Sequence, residues 1–242
     1  MGTKKEIAIP SGLKLLSSNE LKTIAITCMV IQHAMYSGLI KNYFNLPEAI
    51  GTITMPIITF LLVEGYMHTR NVYRYFFRLI IFMLISELPY RLIFPMMPQE
   101  EFYVGNIMAT LALTLVAIYL FDRVKNILFL IGFSFISIII LANILSVDYG
   151  FYSIILAFNF FFFRDNSIIK LIIFYLVYIT RYSNFIIGLI IVCLLAMYND
   201  NITNKKKFSL KQKYIYKYGY YLFYPLHFIA LYLVKLSRCL VK

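Results

Sequence analysis

Apolar runs of roughly bilayer length follow one another along this chain with only short polar breaks, and that pattern leaves few folds open. Runs near residues 21–40, 50–68, 76–95, 104–121, 126–146, 150–163, 167–180, 183–198 and 219–236 approach the roughly 20 residues an α-helix needs to cross the hydrocarbon core. Backbone groups in lipid must be satisfied within their own segment, so such runs read as helices. The expected fold class is all-α: a polytopic transmembrane helical bundle of about nine spans, range 8–10, in a single integral membrane domain over residues 1–242. The sixth and seventh runs are short and read as a re-entrant pair or as two steep helices.

Composition agrees. Hydrophobic residues make up 61% of the chain and charged residues 14%, with a mean hydropathy of +0.77, whereas soluble domains carry about 25% charged residues. The excess of 23 Lys and Arg over 11 Asp and Glu is expected on cytoplasmic loops, which makes a nucleic-acid partner unnecessary. Lys4, Lys5 and Lys14, then Arg70, Arg74 and Arg78, then Arg123 and Lys125, then Arg164 and Lys170 fall on one side. The cluster Lys205, Lys206, Lys207, Lys211, Lys213 and Lys217 joins them as a solvated loop near anionic headgroups. Opposite loops carry Lys41 with Glu48, Arg91 with Glu100 and Glu101, Asp148, and Arg181. The N-terminus is therefore expected in the cytoplasm and, with nine spans, the C-terminus outside.

Several classes drop out. Cys28, Cys193 and Cys239 show no CxxC spacing, so neither a metal site nor a disulfide framework follows. Met1 to Pro10 lacks a cleavable apolar core, so the first span reads as an uncleaved anchor. Glu6 breaks the myristoylation pattern after Gly2. No HExxH or dinucleotide-binding glycine fingerprint appears, so no metal is expected and any cofactor must sit between helices.

Ionisable residues inside such runs are functional candidates by default. His33 follows Lys22 by 11 residues, which brings both to one helix face roughly 16 Å apart. Histidine suits the removal of a proton from an acyl acceptor near neutrality, and His33 reads equally as that base or as a packing histidine donating to a carbonyl. Glu64 and His68 lie four apart, hence stacked. A carboxylate beside an imidazole fixes its tautomer, and Gly65 admits a close neighbour; an interfacial ion pair is the alternative. Arg70, Arg74 and Arg78 recur every four residues and offer bidentate donors to the phosphates of a nucleotide or coenzyme A, or equally to lipid phosphates.

Glu87 and Arg91 neutralise each other beside Pro89, which interrupts the backbone ladder. Asn106, Thr110 and the turn Asp148-Tyr149-Gly150 are weaker marks, Asp148 reading also as a helix cap. Tyr220, Tyr224 and His227 share a face of the last span, with Pro225 between them, and read as a polar path or as interfacial anchors.

Taken in order, these stretches resemble the TraX family of integral membrane proteins, F-pilin acetylase-like acyltransferases. The resemblance rests on Leu21-Lys22 through His33, Met55-Pro56, Glu64 to Arg70, Arg78, Ser86 to Pro89, Asn106 with Thr110-Leu111, Asp148-Tyr149-Gly150, and Tyr224 to His227, and so covers nearly the whole chain. It implies a multi-pass protein of the bacterial cytoplasmic (inner) membrane that passes an acetyl group from acetyl-CoA to a peptide amine or a cell-surface sugar hydroxyl. By that resemblance His33 is the base, with Glu64 and His68 a second polar centre and His227 completing the cavity. Lys22, Arg70, Arg74 and Arg78 meet the acyl-CoA. The partners implied are the lipid bilayer, acyl-CoA and a peptide or surface-glycan acceptor. One position departs: the family pattern commonly has Asp before the histidine, and here Gln32 stands there. The alternative is a catalytically inactive accessory or assembly factor of the same family. A small transporter is disfavoured because no matched pair of Gly/Pro-broken helices appears in two halves.

Overall fold

A computed structural model describes residues 10–94, 106–123, 149–200, 202 and 210–240. The run expected at 126–146 lies outside the described residues, as do Asp148, Glu100, Glu101, Lys125 and Lys205 to Lys207. Within the described residues the chain is all-α, with a helix on every other expected run: α1 (Ser18–Tyr36), α2 (Leu46–Gly51), α3 (Thr54–His68), α4 (Val72–Ile93), α5 (Ile107–Arg123), α6 (Gly150–Phe162), α7 (Ser167–Tyr182), α8 (Phe185–Ala196) and α9 (Leu210–Leu240).

Local chemistry sets the helix starts. Ser17 caps α1 in a reciprocal box: its backbone N–H donates to Glu20 Oε2 at 2.6 Å, and Glu20 N–H donates back to its hydroxyl at 3.4 Å, worth about 1 kcal/mol. Asn71, Asn166 and Asn184 cap α4, α7 and α8 by accepting the N–H three residues on. The extended backbone at Thr69 and Asn71 separates α3 from α4. Arg70 therefore precedes α4 and does not continue a helical ladder through Arg74 and Arg78.

The short sixth and seventh runs form helices of 13 and 16 residues, about 20 and 24 Å long at 1.5 Å per residue. The 26-residue stretch Tyr43–His68 is long and apolar enough to cross a membrane, while Phe151–Phe162 and Phe185–Ala196 are apolar but shorter.

Packing alternates along the bundle: α1 lies on α2 and α3, α3 on α6, α5 on α4 and α6, α7 on α8, and α9 on α4. Hydroxyls tie apolar faces together. Thr54 donates to the Ala25 carbonyl at 3.0 Å, Thr52 meets the Tyr178 hydroxyl at 2.6 Å, and Thr114 meets Ser153 at 2.8 Å. Such bonds are the usual glue between helices whose faces are otherwise uniformly apolar.

The sense of the helices follows from side-chain pairs. Tyr220 reaches Asn19 and Thr23 near the start of α1, while His227 meets His33 in its last turn. Phe82 stacks on Tyr221, and Tyr90 meets Phe228 edge-on. Thus α1, α4 and α9 run parallel, and Lys22, Arg78 and Tyr220 gather at one end of the bundle.

Candidate functional site

A cavity of about 570 Å³ opens between α1, α3, α4, α5 and α9, within the roughly 300–1,000 Å³ range of small-molecule sites. Its polar wall comes from Asn19 and Lys22 of α1, His68 and Thr69 at the end of α3, Arg78 of α4, and Tyr220 of α9. Its deeper wall is apolar, with Met29, Ile58, Leu62, Leu111 and Phe223 among the lining side chains.

Aromatic rings position the two cations. Lys22 Nζ sits 5.4 Å from the centre of the Tyr220 ring, and the Arg78 guanidinium carbon lies 5.0 and 5.5 Å from the rings of Tyr75 and Tyr221. Each such contact contributes about 0.5–2 kcal/mol, and Arg78 also hydrogen-bonds Tyr221. Arg78 Nε is buried without a hydrogen-bond partner among the described residues. A buried guanidinium N–H left unpaired costs about 1–3 kcal/mol, which an anionic ligand would recover. Gly65 makes room for this arrangement, because a Cβ there would lie 3.1 Å from the Tyr75 hydroxyl.

One helical turn past Met29 and Phe223, the imidazoles of His33 and His227 meet. His33 Nδ1 lies 2.8 Å from His227 Nε2, and the two ring planes are within 15° of parallel with centroids 5.1 Å apart. His227 is 5% exposed. Phe94 and Phe228 pack on His33, and Phe223, Tyr224 and Phe228 pack on His227. Tyr224 reaches across to α5, where its hydroxyl accepts the Ile107 N–H at 3.3 Å.

Other sequence candidates lie elsewhere. Arg70 and Arg74 are exposed and outside the cavity lining; Arg78, of the three, lines it. His68 lines the mouth, but its Nδ1 donates to the Glu64 backbone carbonyl at 2.8 Å and its Nε2 faces Asp200 at 3.4 Å. The Glu64 carboxylate takes a hydrogen bond from Tyr198 and lies near Lys170. It belongs to a cluster behind α3, one residue round the helix from the cavity-lining Gly65.

Glu87 does pair with Arg91, at 2.7 Å, and also receives the side-chain N–H of Asn106 at 2.7 Å. Asn106 further donates to the Met83 carbonyl and accepts the Met108 N–H, so it joins α4 to the start of α5. Gln32 is buried against Gly51 and donates to the Tyr36 hydroxyl at 3.4 Å. The His33 Nδ1 has His227 as its partner. Sequence reasoning missed Tyr75, which stands three residues before Arg78 on the same helix and was open to an i,i+3 reading, and Tyr221, which lies far off in the sequence and carries no local signal. Among the described residues no three His, Cys, Asp or Glu side chains gather as metal ligands.

A family model described as TraX protein matches residues 17–235. Over 110 residues the chain is 33% identical to "Probable fimbrial assembly protein FimC, serogroup H1" of Dichelobacter nodosus, an alignment covering 42% of this chain and 45% of that protein. Less than half of that relative's length is thus spanned. No solved structure matches the chain. With the family model running from the Ser17 cap of α1 to Lys235 in α9, the chain belongs to the TraX family.

Proposed function

We propose that the chain is a multi-pass acyltransferase of the bacterial cytoplasmic membrane, passing an acetyl group from acetyl-CoA to a peptide amine or a cell-surface sugar hydroxyl. The observation that carries this reading is a cavity with Lys22 and Arg78 at its polar wall, together with a histidine pair one helical turn beyond the lining residues Met29 and Phe223. The unpaired Nε of Arg78 suits a phosphate oxygen. Lys22, at the N-terminus of α1, adds a second positive charge. Acetyl-CoA supplies an activated thioester, and its pantetheine arm suits the apolar stretch beside Met29.

His33 acts as the base in this reading. The acceptor nitrogen or oxygen gives its proton to the imidazole as it bonds to the acetyl carbon. The carbon–sulfur bond then breaks, and the thiolate leaves with the proton that the imidazolium returns. Glu64 and His68 would serve the mouth of the cavity and the folding of α3 against α7 and α8, rather than the reacting atoms.

The parallel course of α1, α4 and α9 fits nine spans, as spans one, three and nine then run alike. The name of the D. nodosus relative favours a pilus subunit as the acceptor, hence a peptide amine. The packing of Gln32 against Gly51 favours a second reading, an accessory factor without activity, because no acid adjoins His33 on its own helix turn.

Incubating purified protein in detergent with radiolabelled acetyl-CoA separates the two. Binding with thioester turnover that His33→Ala abolishes supports the enzyme. Absence of both in folded protein overturns it in favour of the accessory factor.

A further inference from the structure

The geometry points to His227 as a positioning residue that holds His33 in its Nδ1–H tautomer and leaves His33 Nε2 as the basic nitrogen. His227 Nδ1 lies 3.3 Å from the Phe223 carbonyl oxygen. A carbonyl only accepts, so this nitrogen carries hydrogen. A neutral imidazole has one N–H, and His227 Nε2 therefore presents a lone pair. That lone pair faces His33 Nδ1 at 2.8 Å. Two lone pairs at this distance repel, so His33 Nδ1 carries hydrogen and donates, and the remaining lone pair of His33 is on Nε2.

The protein enforces this order through packing. Phe228 stacks on both imidazoles, with centroids 4.9 Å from His33 and 3.9 Å from His227, and Phe223 lies parallel to His227 at an interplanar angle of 5°. The rings are held edge to edge by Phe94, just past the end of α4, and by Phe223 and Phe228 of α9. Free histidine favours Nε2–H, so the pair reverses the default. A metal-bound or general-base histidine is commonly oriented in this way through its second nitrogen, by a carboxylate or carbonyl; here another imidazole does so, itself tied to a backbone carbonyl. The tautomer stands independently of the proposed acyl transfer, whereas the positioning role rests on reading His33 as the base.

Nitrogen-15 NMR on histidine-labelled protein in detergent micelles reads the tautomer directly, through two-bond couplings between ring nitrogens and carbon-bound protons. The chain has three histidines, and single variants His68→Gln and His33→Gln assign them. The expected result in the wild type is His33 with Nδ1 protonated and Nε2 unprotonated. An Nε2–H His33 in folded wild-type protein overturns the proposal without needing any variant.

His227→Phe removes the acceptor and is expected to return His33 to Nε2–H, while His227→Gln, whose amide oxygen accepts, is expected to keep Nδ1–H. If acetyl transfer is present, His227→Phe should lower kcat about 10- to 100-fold with KM for acetyl-CoA unchanged, and His227→Gln should recover much of it. Equal losses in both variants overturn the positioning role. Absence of transfer with the Nδ1–H tautomer intact would sink the enzymatic reading alone.

Discussion

Gly51 lies so close to Gln32 that a Cβ built on it would stand 2.1 Å from Gln32 Cδ and 2.5 Å from Gln32 Cβ. The glycine at the end of α2 is therefore a matter of space between α2 and α1. It also explains where the residue preceding His33 points: towards α2, away from the imidazole pair.

Gly51→Ala should destabilise the protein by about 1–3 kcal/mol, the cost of overpacking a tight contact, seen as a lowered midpoint of thermal unfolding in detergent. Adding Gln32→Ala should recover part of the loss only, because Gln32 Cβ is itself in the way. Full recovery would mean that the side-chain amide alone carries the clash. Gln32→Asp, which restores the commoner family residue, should leave acetyl transfer no higher than wild type, since position 32 faces Gly51 and His33 Nδ1 is already engaged by His227.

Arg78→Lys keeps the charge but loses the planar fork and the stacking on Tyr75 and Tyr221. A charge-assisted hydrogen bond contributes about 1.5–3 kcal/mol, so KM for acetyl-CoA should rise about 10- to 100-fold with kcat little changed. Arg74→Ala, on the exposed side of the same helix, should leave KM within about twofold. Steady-state kinetics on both variants checks the contrast, and equal effects would return the anion site to the protein surface.

His33→Ala and His68→Ala should fail differently. The first should remove turnover while radiolabelled acetyl-CoA still binds, because the imidazole lies a turn beyond the cavity lining. The second should weaken binding by less than tenfold and spare turnover, because His68 stands at the exposed mouth with its Nδ1 spent on the Glu64 carbonyl. Binding by filter retention, run beside a thiol-release assay, separates the two.

Asn106→Leu should cost about 1–3 kcal/mol, for it deprives the Glu87 carboxylate and the Met83 carbonyl of their shared donor. Asn106→Asp should be worse, placing a second carboxylate where 2.7 Å now separates donor and acceptor. Unfolding midpoints for the pair give the order, and a stable Asn106→Asp would show that Glu87 does not hold α4 to α5.

Much of the helical frame was legible in the sequence because its causes are local. Ser17 and Glu20 form a capping box from residues three apart, Asn71, Asn166 and Asn184 stand at helix starts, and the apolar run length sets where each helix persists. The i,i+4 spacing of Glu87 and Arg91 likewise predicted their ion pair. At Glu64 and His68 the same spacing puts both residues on one face, with the His68 Nδ1 bonded to the Glu64 backbone carbonyl and the Glu64 carboxylate bonded to Tyr198. The break at Thr69 to Asn71 leaves Arg70 in the connection between helices and places Arg74 and Arg78 on α4.

The sequence by itself determined that helices form along the apolar runs and that Lys22 and His33 share a face, whereas α9 begins at Leu210 and takes in Lys211, Lys213 and Lys217, which the sequence reads as loop. Only the tertiary structure decided that His33 meets His227 across 194 positions and that Tyr221 of α9 packs on Arg78. The reason is physical: helical periodicity fixes a side chain's direction around its own axis, whereas which neighbour it then meets depends on the order and sense in which near-uniformly apolar helices pack. That choice is made by the fit of bulky and small side chains at every contact together.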